Sequence, residues 1–344
     1  MKIVHVVAGI ESTNGAAVIA CGFARAQAAA GHEVLVACTR APEPWCDTSG
    51  VRLVVFPRSR LAGLREACFS WAMLRGLGDL CAGADLVVTH CQWTFPVWWG
   101  ARCAGAASLV MVPEGSFDPV RLRHSAWKKR LVGWLDRLAL RRASCVVATA
   151  PVEEDWVRAF EPSVRHVAVV PPGVEIPPLN ELRRSSVRPL RLLYLGRRHP
   201  LKGLDLLEEA VRDLAVEVRI ESALQGKEKE AAFAWCDVLV LPTRSDNFGL
   251  VVAEALAHAR PVIVTRAAPW EGVVAHGCGW WTEVSASALR AAIAEAAAAS
   301  EADLRAMGAR GRDWMARDFS WARRAAEFPF AGEEGIPRDG SGNS

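Results

Sequence analysis

The sequence predicts an α/β protein of two doubly wound domains, and three observations carry that prediction. Short, continuously apolar, β-rich runs alternate with helical patterns along most of the chain. Strands of that kind, buried on both faces, belong to parallel sheets covered by helices. A segment rich in Pro and charge, Pro171–Pro189, interrupts the alternation, which restarts at Leu190. The 344 residues suit two domains at roughly 100–200 residues each.

In the first half the expected strands are Ile3–Ala8, Glu33–Cys38, Arg52–Phe56, Asp85–Cys91, Ser108–Val112, Cys145–Ala148 and His166–Val170. Helical patterns cover Ala16–Ala30, with Gly31 at its C-terminal end, then Ala67–Cys81, Val97–Ala106 and Leu122–Arg142. The second half places strands near Arg191–Leu195, Val216–Ile220, Val238–Pro242, Pro261–Thr265 and Trp280–Glu283. Its helices are Leu204–Leu214, Lys227–Cys236, Leu250–His258, Ala286–Ala299 and Glu301–Arg317. The expected organisation is residues 1–173 as one domain, 174–189 as linker, 190–317 as a second domain, a C-terminal helix in 318–331 and a disordered tail at 332–344. The two domains are expected to face each other across a cleft, a usual place for a ligand.

Composition narrows the class. With 51% hydrophobic and 23% charged residues, the chain has the balance of a folded globular protein. Lys2, His5 and the polar loop Glu11–Asn14 interrupt the apolar start, so it reads as a first strand rather than a secretory signal, and a cytoplasmic location is expected. Ten cysteines are present, none in a Cys-x-x-Cys pair, and most lie in apolar patterns where reduced Cys acts as a small hydrophobe; no metal is expected. The net charge is +3, yet Arg121–Arg142 alone holds eight Lys/Arg against one acid, so the rest of the chain is net acidic.

A doubly wound domain invites a nucleotide. The loop after the first strand, Ala8-Gly9-Ile10-Glu11-Ser12-Thr13-Asn14-Gly15-Ala16-Ala17, is neither a three-glycine dinucleotide fingerprint nor a Walker loop. Gly15 opens a helix, either as a tight turn needing small residues or as a place where free amides meet an anion or sugar. In the second half, Gly196-Arg197-Arg198-His199-Pro200-Leu201-Lys202-Gly203 follows a strand. Arg197 and Lys202 there suit a diphosphate, or are solvated loop cations. Downstream, Asp246-Asn247-Phe248-Gly249-Leu250 leads into a helix that carries Glu254. Asp246 reads either as a helix N-cap or as a ligand group; Glu254, with apolar neighbours on both sides, needs a hydrogen-bonding partner such as a pair of ligand hydroxyls.

These elements in this order resemble the retaining, sugar-nucleotide-dependent glycosyltransferases of the GT-B fold, with two Rossmann-like domains, in particular the large family (glycosyltransferase family 4-like, group 1) containing bacterial lipopolysaccharide and exopolysaccharide enzymes. The resemblance rests on Gly196–Gly203, Asp246–Glu254, Ala259–Thr265 with Pro269-Trp270 and Gly277–Trp281, and, in the first half, Asp85–His90, Pro113–Pro119 and Ser125–Arg130. It implies hexosyl transfer from a nucleotide sugar of the UDP- or GDP-linked class to a glycan or lipid-linked acceptor, without metal or other cofactor. It places Arg197, Lys202 and Gly15 on the donor diphosphate, and Glu254 on the ribose. Asp246, Asn247 and the amides of Phe248, Gly249 and Leu250 would hold the transferred sugar or its phosphate. By the same resemblance His90, which reads equally as a structural histidine, lies near the acceptor. Phe319–Arg324 resembles the family's last helix, which crosses back to the first domain.

Three departures matter. Asp246 stands where the family usually has Glu, and Glu114 where many relatives have His. Between Leu214 and Asp237 only 22 residues remain, where relatives have a further strand–helix–strand portion that helps to hold the nucleobase. A catalytically weak or inactive sugar-nucleotide-binding partner protein and another Rossmann-type enzyme are therefore the alternatives. Trp93, Phe95, Trp98 and Trp99 read as core more readily than as sugar-stacking faces. Trp127, Leu131, Trp134, Leu135 and Leu138 recur at helical spacing and are expected to form a core stripe, with the basic residues solvated. The second reading of that helix is a peripheral contact with anionic lipid at the inner membrane face, on the order of 1 kcal/mol per cation.

Overall fold

The computed structural model describes residues 1–11, 14–41, 46–123, 126–178 and 189–330. Ser12 and Thr13 of the first loop, Ser125, residues 179–188 of the expected linker and the tail 332–344 lie outside the described residues. The chain divides into two units, Met1–Gly173 together with the chain from Trp321 onward, and Val174–Ser320.

The first unit is built on seven parallel strands: β1 (Lys2–Val7), β2 (Glu33–Cys38), β3 (Arg52–Val55), β4 (Leu86–His90), β5 (Ser108–Val112), β6 (Cys145–Ala148) and β7 (Val167–Val169). They lie in the order β3-β2-β1-β4-β5-β6-β7. The connecting helices are α1 (Gly15–Ala29), α2 (Ala62–Glu66), α3 (Trp71–Cys81), α4 (Phe95–Cys103), α5 (Pro119–Arg123), α6 (Ala126–Arg142) and α7 (Pro151–Phe160). Asn14 caps α1, its side chain accepting from the Ala16 amide at 3.2 Å, and Gly31 follows the helix in the left-handed region at φ 91°. The pattern Ala67–Cys81 yields a helix only from Trp71, because Ser70 caps it and Cys68 takes a positive φ of 59°.

The second unit carries five parallel strands, β8 (Leu190–Leu195), β9 (Val216–Glu221), β10 (Val238–Leu241), β11 (Val262–Thr265) and β12 (Gly279–Thr282), in the order β12-β11-β10-β8-β9. Its helices are α8 (Leu204–Ala210), α9 (Gly226–Trp235), α10 (Leu250–Ala257), α11 (Gly272–Ala275), α12 (Ala286–Ala298) and α13 (Glu301–Asp318). The helical pattern after Leu204 stops at Ala210 rather than Leu214, where Asp213 turns at φ 62°. Beyond β8 there is one strand, β9, with α9 returning to β10.

The central strands of both sheets are covered on both faces: Ile3, Val4, Val6, Val87 and Val88, and Leu192, Leu193, Val238, Leu239 and Ile263, have no exposed surface. Each such side chain contributes roughly 1.5–3 kcal/mol by leaving water. The last helix, α14 (Trp321–Ala326), belongs to the first unit and packs on α1. Trp321 meets Phe23 edge to face at 5.4 Å, and a Cβ at Gly22 would lie 2.2 Å from its indole, so only glycine admits the ring.

Candidate functional site

In the second sheet the chain leaves β8 towards β9 and returns on the other side to β10. The loops at the carboxyl ends of β8 and β10 therefore diverge, and ligands of doubly wound sheets bind in the crevice so formed. The loop after β8 ends in a tight turn, Pro200–Lys202, closed by Gly203 in the left-handed region at φ 65°. A Cβ there would stand 1.9 Å from the carbonyl oxygen of Pro242, at the end of β10. The two loops are tied together: Thr243 Oγ1 donates to Leu201 O at 2.9 Å, and Arg244 grips the Asp205 carboxylate with both guanidinium nitrogens at 2.6 and 2.7 Å.

That frame positions the residues singled out from the sequence. Lys202 Nζ pairs with Asp246 Oδ2, so neither is a solvated loop charge. Asp246 is not the cap of α10, because Gly249, at φ 78°, occupies that place. Glu254 Oε1 is met by Lys229 Nζ of α9 at 2.5 Å, so the protein itself supplies a hydrogen-bonding partner. Lys229 was not legible in advance, since nothing local marks a lysine 25 residues away as its partner. Arg197 is exposed, its carbonyl accepting from the Tyr194 hydroxyl at 2.9 Å. Asn247 and Phe248 are buried, and the Phe248 carbonyl accepts from the Trp270 indole. The amides at Phe248–Leu250 thus sit on a fixed backbone at the start of α10.

In the first sheet the corresponding reversal lies between β1 and β4. Gly15 is the first residue of α1, at the end of the loop after β1. His90, the last residue of β4, is completely buried, in keeping with its reading as a structural histidine. Its Nδ1 lies 3.0 Å from Glu114 Oε1 and its Nε2 lies 2.9 Å from His5 Nδ1; His5 Nε2 in turn lies 2.7 Å from Gln27 Oε1. Burial lowers His5 to about 4 and holds His90 well below the usual histidine range. Burial, reinforced by the neighbouring Glu153 carboxylate, pushes Glu114 well above the usual carboxylate range. Glu114 has a positive φ of 56°, rare for a side chain of its size, and Gly115 beside it donates its amide to Glu153. His5 and Gln27 escaped the sequence reading because an apolar strand and a helix interior give no local sign of a polar chain.

The aromatic segment divides. Trp93, Phe95 and Trp99 pack against the core, whereas Trp98 lines a cavity of about 360 Å³ with Phe95, Trp99, Trp134, Leu135 and Leu138. The stripe on α6 is turned the other way from the expectation: Trp127, Leu131, Trp134 and Leu138 are exposed at 69%, 69%, 62% and 51%. The core face of α6 is made by Gly133, Asp136, Ala139 and Leu140, with Ala139 and Leu140 in the hydrophobic core of the first unit. Among the described residues there is no group of three or more His, Cys, Asp or Glu able to hold a metal ion, and no helix long and apolar enough to cross a membrane. All ten cysteines are free thiols.

Two parallel-sheet, Rossmann-like halves with charged residues at the strand ends define a GT-B-type transferase architecture. Residues 14–173 match the glycosyl transferase 4-like domain and residues 179–299 the glycosyl transferases group 1 domain, and the chain belongs to that glycosyltransferase family. Among curated relatives, a D-inositol 3-phosphate glycosyltransferase of Xylanimonas cellulosilytica is 26% identical, over 74% of this chain and 76% of its own. An uncharacterized 41.2 kDa protein of the Klebsiella pneumoniae cps region is 24% identical over 44% of this chain, which spans about half (51%) of that relative's length. Similar folds are found in a sucrose-phosphate synthase of Thermosynechococcus elongatus (TM-score 0.74, 18% identity, 95% of this chain and 97% of that one). Anabaena HepE in complex with UDP-glucose (TM-score 0.71, 16% identity, 95% and 98%) and WaaG, a glycosyltransferase involved in lipopolysaccharide biosynthesis (TM-score 0.69, 16% identity, 95% and 98%), share the fold as well.

Proposed function

We propose that the protein transfers a sugar from a UDP- or GDP-linked donor to a glycan or lipid-linked acceptor in surface polysaccharide synthesis, with retention of configuration and without metal. The observation that carries this reading is the pair of lysine–carboxylate bridges at the reversal of the second sheet, Lys202–Asp246 and Lys229–Glu254. The lysine heads stand ready to meet phosphate, with Arg197 exposed on the loop that carries Lys202, and supply the positive charge that a metal would otherwise bring to a leaving diphosphate. The carboxylates accept hydrogen bonds from sugar hydroxyls: Glu254 from the ribose, Asp246 from the transferred sugar, with Asn247 and the amides of Phe248, Gly249 and Leu250 around it. In the first unit, the small residues Gly15–Ala17 at the end of β1 leave α1 amides open to the anion. The leaving phosphate would take the acceptor's proton on the face from which it departs, which retains configuration.

The exposed stripe of α6 supports a lipid-linked acceptor. Two tryptophans and two leucines form one face of the helix, flanked by the exposed Arg130, Arg141 and Arg142, the make-up of a helix that lies on an anionic leaflet. Contact there would keep a cytoplasmic enzyme peripheral at the membrane. The short second sheet, with β9 alone beyond β8, favours a sugar-nucleotide-binding partner protein as the second reading.

Thermal shift with nucleoside diphosphates and nucleotide sugars, with and without EDTA, tests the donor site. One diphosphate family should raise the melting temperature of the protein but not of Glu254→Ala, irrespective of EDTA. No shift with any ligand would refute a donor site here. Hydrolysis of the same sugar nucleotide separates an enzyme from a binding partner.

A further inference from the structure

In the chain Gln27–His5–His90–Glu114 the orientation of the Gln27 amide decides which group donates at every contact. Three contacts of 2.7, 2.9 and 3.0 Å link four side chains that are all but inaccessible, so each contact holds one proton and no water shares it. The planes of the two imidazole rings are within 20° of parallel, with their centroids 5.2 Å apart. Gln27 presents its carbonyl oxygen, so His5 Nε2–H donates to it and His5 Nδ1 is bare. His90 Nε2–H must then donate to His5 Nδ1, which leaves His90 Nδ1 bare as well. The proton between His90 and Glu114 can come only from Glu114.

Turning the Gln27 amide would reverse every donor and make Glu114 an ionised carboxylate. Its surroundings oppose that charge. Glu153 of α7 presents a second carboxylate, the Cys91 thiol stays protonated under burial, and the Arg121 guanidinium donates to the Glu114 backbone carbonyl at 3.3 Å rather than to its carboxyl. Glu114 Oε2 is buried without a hydrogen-bond partner, costly for an anion and less so for the carbonyl of a neutral acid. A positive φ and the Gly115–Glu153 bond fix the backbone that carries it, at the carboxyl end of β5.

We propose that Glu114 is a neutral carboxylic acid whose proton is fixed on Oε1 by the Gln27–His5–His90 chain. Gln27, His5 and His90 are positioning residues: they set the protonation state of a group they do not replace.

The test has two arms. Nitrogen-15 NMR of histidine-labelled protein should show His5 and His90 both protonated on Nε2 and bare on Nδ1 from pH 6 to 8, roughly the span that brackets a free imidazole. Glu114→Gln, whose amide N–H can serve His90 in the same way, should preserve that pattern, and Gln27→Leu should let His90 Nδ1 take the proton. A wild-type His90 protonated on Nδ1, or doubly protonated, overturns the proposal. In the second arm, the infrared difference spectrum of wild type minus Glu114→Gln should show the C=O stretch of a protonated carboxylic acid at pH 7. A carboxylate band pair in its place overturns the proposal.

Discussion

Replacing Gly203 by alanine tests whether the candidate donor site depends on the close approach of two loops. At φ 65° an L-residue costs roughly 1–2 kcal/mol against glycine. The added Cβ meets Pro242 O at 1.9 Å and its carbonyl carbon at 2.9 Å, both backbone atoms that cannot rotate away. Relieving that overlap means moving the end of β10, at a further cost of about 1–3 kcal/mol typical of overpacking. The expected loss is therefore about 2–5 kcal/mol, or a fall of about 2–4 °C in melting temperature per kcal/mol lost for a unit of this size. Because Pro242 leads directly to Asp246, the displacement also separates Asp246 from Lys202, and a misplacement near 1 Å is worth about a hundredfold in rate. Differential scanning fluorimetry and calorimetric titration with UDP and GDP give both readouts. Gly78→Ala is the control: it lies within α3 and its Cβ meets nothing within 4 Å, so it should stabilise by about 0.5–1 kcal/mol. A Gly203→Ala protein as stable as wild type, with unchanged diphosphate affinity, would refute the reasoning.

Burial pushes the Asp136 carboxyl up to about 7 from an ordinary 3.8. Its ionisation therefore costs the fold nothing below pH about 4, progressively more as pH rises towards 7, and on the order of 4 kcal/mol above that. Asp136→Asn, which can still accept from the Trp93 amide, should be no more stable than wild type in urea at pH 4 but more stable at pH 8, by about 1–3 kcal/mol after the cost of its extra N–H; a difference independent of pH counts against it. Trp127→Ala with Trp134→Ala should leave melting unchanged, both residues being mostly exposed, yet weaken sedimentation with vesicles containing phosphatidylglycerol. Equal sedimentation of variant and wild type would exclude α6 as the lipid-facing surface.

The strands were legible because parallel strands buried on both faces must be nearly continuous apolar runs. Ser108–Val112 and Glu33–Cys38 are read from the sequence without error at either end. Helix ends were less so, since caps such as Ser70 and turns such as Asp213 act through one or two residues. The motifs after β8 and β10 could be recognised as local strings, and the sequence alone therefore marked Lys202, Asp246 and Glu254. Which charge faces which is a different matter. Lys202 meets Asp246 across 44 residues and Lys229 meets Glu254 across 25, distances over which only the order of the sheet decides proximity. Periodicity likewise showed that α6 has an apolar stripe but not which way it points: periodicity is unchanged by rotating a helix, whereas small residues opposite the stripe let that face pack. The resemblance marked His90 and Glu114 but neither His5 nor Gln27, and the four become one hydrogen-bonded chain only where β1, α1, β4 and the end of β5 converge. The sequence thus determined the elements and the residue types at the strand ends, because both are local. Tertiary structure decided their pairings, burial and protonation, because these depend on neighbours that the chain brings together only on folding.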